Sequence, residues 1–206
     1  MTATATAGAA VLWLASASRT RAEVLRRAGV PAHTEPAQID EAEIKSSLRS
    51  GGANAARAAE TLAELKAARV SRRHAGALVV GADQMLECDG VWYDKPRDMD
   101  EARAQLRALR GKRHDLHSAV CVMRDGAQLW RHGERTRLWM RDFSEDFLDD
   151  YLKSAGAEAL DVVGCYRLEG PGVQLFARID GDFFAILGLP LLPLLDFLRG
   201  QGAVRT

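Results

Sequence analysis

The chain has 206 residues, 47% hydrophobic and 27% charged, which is enough apolar content for one α/β domain or two small lobes and excludes a disordered chain. Its 28 basic residues balance 28 acidic ones, so neither a basic nucleic-acid surface nor an acidic tail is the default. The three cysteines, Cys88, Cys121 and Cys165, are far apart and show no zinc or redox spacing, so reduced thiols in a cytoplasmic protein are expected.

The opening "MTATATAGAA" is small and polar, without a basic region, and the apolar run after it is short. It fits neither a signal peptide nor a membrane span and reads as a flexible tail over residues 1–10, with a single domain over 11–206. "VLWLA", 11–15, reads as a strand, and "SASRTRAEVLRRAG" as a turn and a helix stopped by Gly29. Asp40 and Glu41 are placed to cap a helix after them. Asn54 is the expected N-cap of the next helix, whose stripe runs Ala55, Ala59, Leu62 and Lys66. "ALVVG", 77–81, reads as a buried strand that Gly81 ends, which puts Asp83 and Gln84 where the strand emerges. "MLECDGVWYDKP" predicts a hairpin around Asp89-Gly90. Asp98, Glu101 and Gly111 bracket a helix by a capping box and a glycine stop. Two long strands joined at Asp125-Gly126 follow, then a helix over "SEDFLDDYLKSAG", a strand over "VQLFARIDGD" and a final helix over "PLLPLLDFLRG". Alternating elements at both ends and a strand-rich middle predict an α/β fold with a mixed, elongated sheet, flanking helices and two lobes around a cleft.

The polar residues at turns and strand ends form a pattern. "LASASRTR" runs from a strand through serines into a helix that begins with Arg19 and Arg21. Free amides and the positive end of the helix dipole favour an anion there, and an anion would also offset the arginines. The same residues serve a purely structural reading, with Ser18 as N-cap and Thr20 with Glu23 as a capping box. Lys66 lies on the apolar stripe of its helix, either snorkelling from its edge or turned towards a ligand. Pro96 restricts Lys95 to extended geometry and gives its amine a rigid stem, in a segment that is otherwise an ordinary loop. Asp40 and Glu41 can cap their helix or, with Asp83, hold a hard cation such as Mg²⁺. In "HDLH" the rings are three apart on a strand and face opposite sides, which is not a metal motif. Cationic groups, amides and carboxylates together suit a polyphosphate better than an uncharged substrate.

The series "LASASRTR", "DE" at 40 and 41, "LKA" at 65–67, "GADQ", "KPRDMDEARAQLRALRGKRH", "GCYRLEG" and "GDFFAILGLPL" resembles, in order and spacing, the Maf-like family from Val11 to about Leu198. These are nucleoside triphosphate pyrophosphatases related in fold to the inosine triphosphatases. The resemblance implies hydrolysis of a nucleoside triphosphate to the monophosphate and pyrophosphate, dependence on Mg²⁺ or another divalent cation such as Mn²⁺, a deep cleft between two lobes, and a homodimer. No nucleic-acid or membrane partner is expected. Residue by residue, Asp83 is similar to the family's base and metal ligand, and Glu41 to its acidic metal-side residue. Ser16, Arg21, Lys66 and Lys95 match its phosphate-binding positions. The resemblance also leaves open a nucleotide-binding regulator linked to septum formation.

Three positions bear on the base. A dTTP- and UTP-favouring subgroup has Arg, Thr and Gln there, and a 7-methyl-GTP-favouring subgroup has Trp, Gln and Glu. This chain has Thr20, Gln84 and Glu169, so two of the three resemble the second pattern. A carboxylate at 169 can take the N1–H and 2-amino donors of guanine, whereas Thr20 offers no aromatic face to a methylated, cationic ring. A guanine-type base is the expectation, 7-methyl-GTP among the candidates, with dTTP or UTP as the alternative.

Overall fold

Local chemistry sets most element boundaries. The computed structural model describes residues 11–205, so the tail expected over 1–10 lies outside the described residues. The first half holds β1 (Leu12–Leu14), α1 (Arg19–Arg27), β2 (His33–Thr34), α2 (Glu41–Ser50) and α3 (Ala55–Ser71). The middle holds β3 (Leu78–Cys88), β4 (Val91–Tyr93), α4 (Met99–Leu109), β5 (Arg113–Arg124), β6 (Ala127–Met140) and α5 (Glu145–Ala155). Short 3₁₀ segments then lead to β7 (Phe176–Asp180), α6 (Phe183–Ile186) and α7 (Leu191–Gly200). The side chains of Ser18, Asp40, Asn54, Asp98 and Ser144 each accept a backbone N–H from the first turn of their helix. Both Asp-Gly hairpins have the paired positive φ angles of a type I′ turn, 51° and 77° at Asp89-Gly90 and 52° and 78° at Asp125-Gly126.

Three expectations are corrected. Ser18 caps α1, and Glu23 pairs with Arg26 and Arg27 at 2.6 Å, so no Thr20–Glu23 capping box forms. The strand expected over "VQLFARIDGD" is shorter, because Pro171 starts a 3₁₀ turn, Pro171–Leu175, before β7. Gly81 does not end its strand. β3 runs on through Asp83 to Cys88, and Gly81 serves a different purpose: a Cβ there would lie 2.1 Å from Ala63 O and 2.7 Å from Ala67 N. The missing side chain lets α3 press directly against β3.

The sheet is mixed, in the order β2-β1-β3-β5-β6-β7, with β4 also on β3. β1 pairs in parallel with β2 and β3, and the remaining pairs are antiparallel. Side-chain alternation along β3 sends Val79, Gly81, Asp83 and Met85 towards α3. On the other face, Val80 and Ala82 pack with Val120, Val122 and the helices α1 and α7. Leu86 and Cys88 pack with Leu116 and the helices α4 and α5. Between these two apolar groups stand Gln84 and its cross-strand partner Ser118, joined at 2.9 Å. This polar seam divides the apolar packing on that face between the two lobes that the strand-rich middle suggested, while the α3 face keeps one continuous cluster.

Replacing Gly81 with Ala tests the close approach. The clash is with helix backbone, which cannot swing aside, so Gly81→Ala is expected to cost about 1–3 kcal/mol or more. A lower denaturant midpoint at unchanged slope is the expected reading, and an unchanged midpoint contradicts the packing described here.

Candidate active site

β5 covers one edge of β3 without interruption from Val79 to Glu87. On the opposite edge, β1 covers Leu78 to Val80 and β4 covers Leu86 to Cys88. On this edge the stretch between them, Gly81 to Met85, has no strand beside it among the described residues. A cavity of about 540 Å³ opens at this gap, and because it wraps an uncovered edge, both Asp83 and Gln84 line it although they point to opposite faces.

Arg21 closes part of the gap. Its Nη1 donates to Ala82 O at 2.9 Å and to Ser16 Oγ at 3.3 Å, and its Nε donates to Gly188 O at 2.8 Å. The guanidinium thus stands in for a missing strand and ties β3 to the turn before α7. Burial lowers its pKa, while Asp83 and Glu41 act in the opposite direction. Ser16 is buried and its Oγ also accepts from Ser18 N at 3.1 Å, which shapes the turn into α1. The Nη2 of Arg21 and the turn amides are what this corner has left for an anion.

Asp83 is 4% exposed, not at a solvated strand end, and Lys66 is 7% exposed. The Lys66 ammonium lies 2.5 Å from Asp83 Oδ1 and 2.7 Å from Glu41 Oε1. Lys66 therefore leaves the apolar stripe of α3 to neutralise buried acid, rather than snorkelling to water. Glu41 sits at the first position of α2, after the Asp40 cap. Burial pushes its pKa up, but the charge and hydrogen bond of Lys66, then Lys45 and Arg21, outweigh that and hold it below the usual range. Asp83 Oδ2 is buried and has no hydrogen-bond partner among the described residues. A carboxylate oxygen in that position calls for a donor or a cation.

Lys95 stands at the cavity wall, and among the described residues no carboxylate lies within ion-pair distance of it. Partial burial, and then the charge of Arg21, lower its pKa. An incoming anion would relieve that repulsion. The structure adds a lysine that the sequence reading missed: Lys45 lines the same cavity and pairs with Asp94 at 2.5 Å. Burial works against its charge, yet the Asp94 hydrogen bond and the nearby carboxylates raise its pKa overall. The available signal was its spacing from Glu41, four residues along the same helix face. Arg167 was missed as well. It lines the cavity and holds Glu169 Oε1 at 3.0 Å.

The three positions that the sequence reading tied to the base lie at one cavity. Thr20, Gln84 and Glu169 all line the cavity. Gln84 Nε2 points at Ser118 Oγ, Ala185 O and Ile186 O at 2.9–3.0 Å, which leaves Oε1 as the acceptor a ligand can use. The aromatic ring of the wall is Tyr166, buried, with its hydroxyl 2.8 Å from His114 Nε2.

The cavity's formal charges cancel. Arg21, Lys45, Lys66, Lys95 and Arg167 face Glu41, Asp83, Asp94, Asp161 and Glu169. A polyanion entering this space needs cations brought with it. The donors fit a hard divalent cation: Glu41 and Asp83 supply oxygens, and Asp83 Oδ2 has a vacant lone pair. Among the described residues no group of three or more His, Cys, Asp or Glu could cage a metal. Such an ion would be shared with the ligand's phosphates and water.

Among the described residues no helix is long and apolar enough to cross a membrane. A protein of Paramagnetospirillum magneticum named nucleoside triphosphate pyrophosphatase is 57% identical over 189 residues, covering 92% of this chain and 97% of that protein. Proteins of Brucella abortus and Rhizobium meliloti named 7-methyl-GTP pyrophosphatase are 46% and 45% identical, each covering 94% of this chain and 97–98% of their own length. The family described as Maf-like protein matches residues 11–201, and with that match over a chain whose cavity unites Asp83, Lys66, Lys95 and Glu41, the chain belongs to the Maf-like family.

Proposed function

We propose that this protein hydrolyses nucleoside triphosphates to nucleoside monophosphate and pyrophosphate, removing modified or non-standard guanine-type nucleotides from the pool. The observation that carries the reading is Asp83: buried at the wall of the cavity, with one oxygen held by Lys66 and the other without a hydrogen-bond partner among the described residues. A site that only binds has no need of such a group. The names and coverage of the relatives support the same activity.

The chain's own residues then have separable roles. Lys95 and the free Nη2 of Arg21 receive phosphate oxygens, and the turn at Ser16 supplies amides to the same charge. Lys66 holds Asp83 Oδ1 at 2.5 Å and so fixes the carboxylate at the cavity wall, leaving Oδ2 as its uncommitted oxygen. A water held at Oδ2 attacks the α-phosphorus in line, Asp83 takes its proton, and pyrophosphate leaves. A bound Mg²⁺ or Mn²⁺, held by Glu41 and Asp83, would supply neutralising charge and lower the pKa of the attacking water. The two lysines and Arg21 answer the charge that grows on the leaving group.

At the base end, Glu169 and the Oε1 of Gln84 are acceptors, which suits the N–H donors of a guanine-type base. Two of the relatives quoted above carry the 7-methyl-GTP name. Thr20 offers no aromatic face to a cationic ring, so guanine itself is favoured over its methylated form here.

Asp83→Asn keeps shape and the hydrogen bond from its neighbours but cannot take a proton. Its kcat on a triphosphate is expected to fall by roughly 10²-fold or more in protein that remains folded. A near-normal kcat contradicts the assignment.

The two lysines should separate by stability. Lys95→Met removes a cation that has no carboxylate partner, so kcat/KM falls while the melting temperature holds. Lys66→Met strands the buried Asp83 carboxylate and is expected to cost about 3–5 kcal/mol as well as activity. Thermal melts and steady-state kinetics on both variants decide it. Full turnover in Lys95→Met would remove that residue from the phosphate site.

A further inference from the structure

The cavity contains a second charged cluster that the triphosphate chemistry leaves unused. The acidic neighbours of Arg21 are Asp83 and Glu41, whereas those of Arg167 are Glu169 and Glu158. Nε and Nη2 of Arg167 both lie 3.0 Å from Glu169 Oε1, and its Nη1 donates to Glu158 Oε2 at 2.6 Å. The backbone beneath is constrained, since a Cβ at Gly172 would lie 2.6 Å from Arg167 O and 2.8 Å from Arg167 N. The guanidinium is held between two carboxylates, and Arg167 and Glu169 both line the cavity.

This pairing changes what Glu169 offers. Oε1 is taken, so Oε2 is its remaining acceptor, and Arg167 retains two of its five N–H donors. One acceptor oxygen and two donors therefore remain on two paired side chains that both line the cavity. We infer that Arg167 and Glu169 together read the O=C–N–H edge of a lactam base, the arginine donating to the carbonyl and the carboxylate accepting from the ring N–H. This inference rests on the nucleotide reading above and adds a substrate class to it. Guanine and hypoxanthine carry the lactam edge among purines, and uracil and thymine among pyrimidines. Adenine and cytosine present the reverse order, an amino donor beside a bare ring nitrogen. Against them donor would meet donor and acceptor would meet acceptor, with buried polar groups left unmatched. A lone carboxylate would repel the carbonyls of uracil and thymine, and Arg167 removes that objection. Ring size is a separate matter, so the pair ranks bases within purines and within pyrimidines.

Nucleoside monophosphates separate base reading from catalysis. Calorimetric titration of the intact protein is expected to rank GMP and IMP above AMP, and UMP above CMP, by about tenfold to a hundredfold. Arg167→Met should remove most of that preference by weakening GMP, IMP and UMP while AMP and CMP change little. Glu169→Gln keeps an oxygen for Arg167 but turns an amide donor to the base, and should weaken the same three ligands. The corresponding triphosphates should show the same order in kcat/KM. Equal binding of AMP and GMP by the unmodified protein overturns the inference. So does a uniform loss on all five ligands in Arg167→Met, which would make the residue a phosphate or scaffold group. Lactam preference without turnover of any triphosphate would sink the pyrophosphatase reading and leave this inference standing. Turnover without the preference does the reverse, and no binding and no turnover at all removes both.

Discussion

The uncovered stretch of β3 governs the molecule. A strand whose edge is unpaired must satisfy its carbonyls and amides elsewhere or expose them to water. Here the two neighbours, β1 and β4, stop short of each other, and Gly81 to Met85 is left between them. Arg21 satisfies Ala82 O from the side. The rest of the gap becomes the floor of the cavity, with one lobe's turn at Ser16–Arg21 on one side and the segment around Arg167 and Glu169 on the other. The division of the apolar core at Gln84 and Ser118 falls at the same level, so the cleft and the seam between the lobes have one origin.

Placing Asp83 in that gap imposes an electrostatic condition. A carboxylate at 4% exposure is costly without a partner. Gly81 lets α3 approach, and the approach brings Lys66 to Asp83 and to Glu41. Stability and chemistry are therefore coupled through one ammonium. It pairs with Asp83 through Oδ1 and with Glu41 through Oε1, and leaves the other Asp83 oxygen uncommitted. The wider cavity follows the same rule, with basic and acidic side chains in balance.

Much of this was legible in the chain because it is local. Helix caps at Ser18, Asp98 and Ser144 and the Asp-Gly hairpins depend on neighbours a few residues away. Lys66 stood out since a lysine on a helix's apolar stripe breaks a short-range period. What escaped was long-range or aperiodic. Gly81 looked like a strand stop, yet its reason is a helix that ends ten residues earlier and folds back over it. Lys45 finds its carboxylate 49 residues away, which no spacing rule anticipates. Arg167 pairs only two residues along, but in an irregular segment where no period marks which side chains meet. The family resemblance located Glu169 without its arginine, and so described an isolated carboxylate where the fold has built a donor beside an acceptor.

The phosphorus that water attacks is the most direct measure of how this site works. Cleavage at the α-phosphorus and at the β-phosphorus both yield a monophosphate and pyrophosphate, and only the destination of the water oxygen separates them. With Asp83 Oδ2 activating a water at the α-phosphorus, hydrolysis in ¹⁸O-enriched water should place the label in the nucleoside monophosphate, seen by mass spectrometry, and leave pyrophosphate unlabelled. Label in the pyrophosphate would mean attack at the β-phosphorus and would contradict the placement of the triphosphate against Asp83, Lys66 and Lys95.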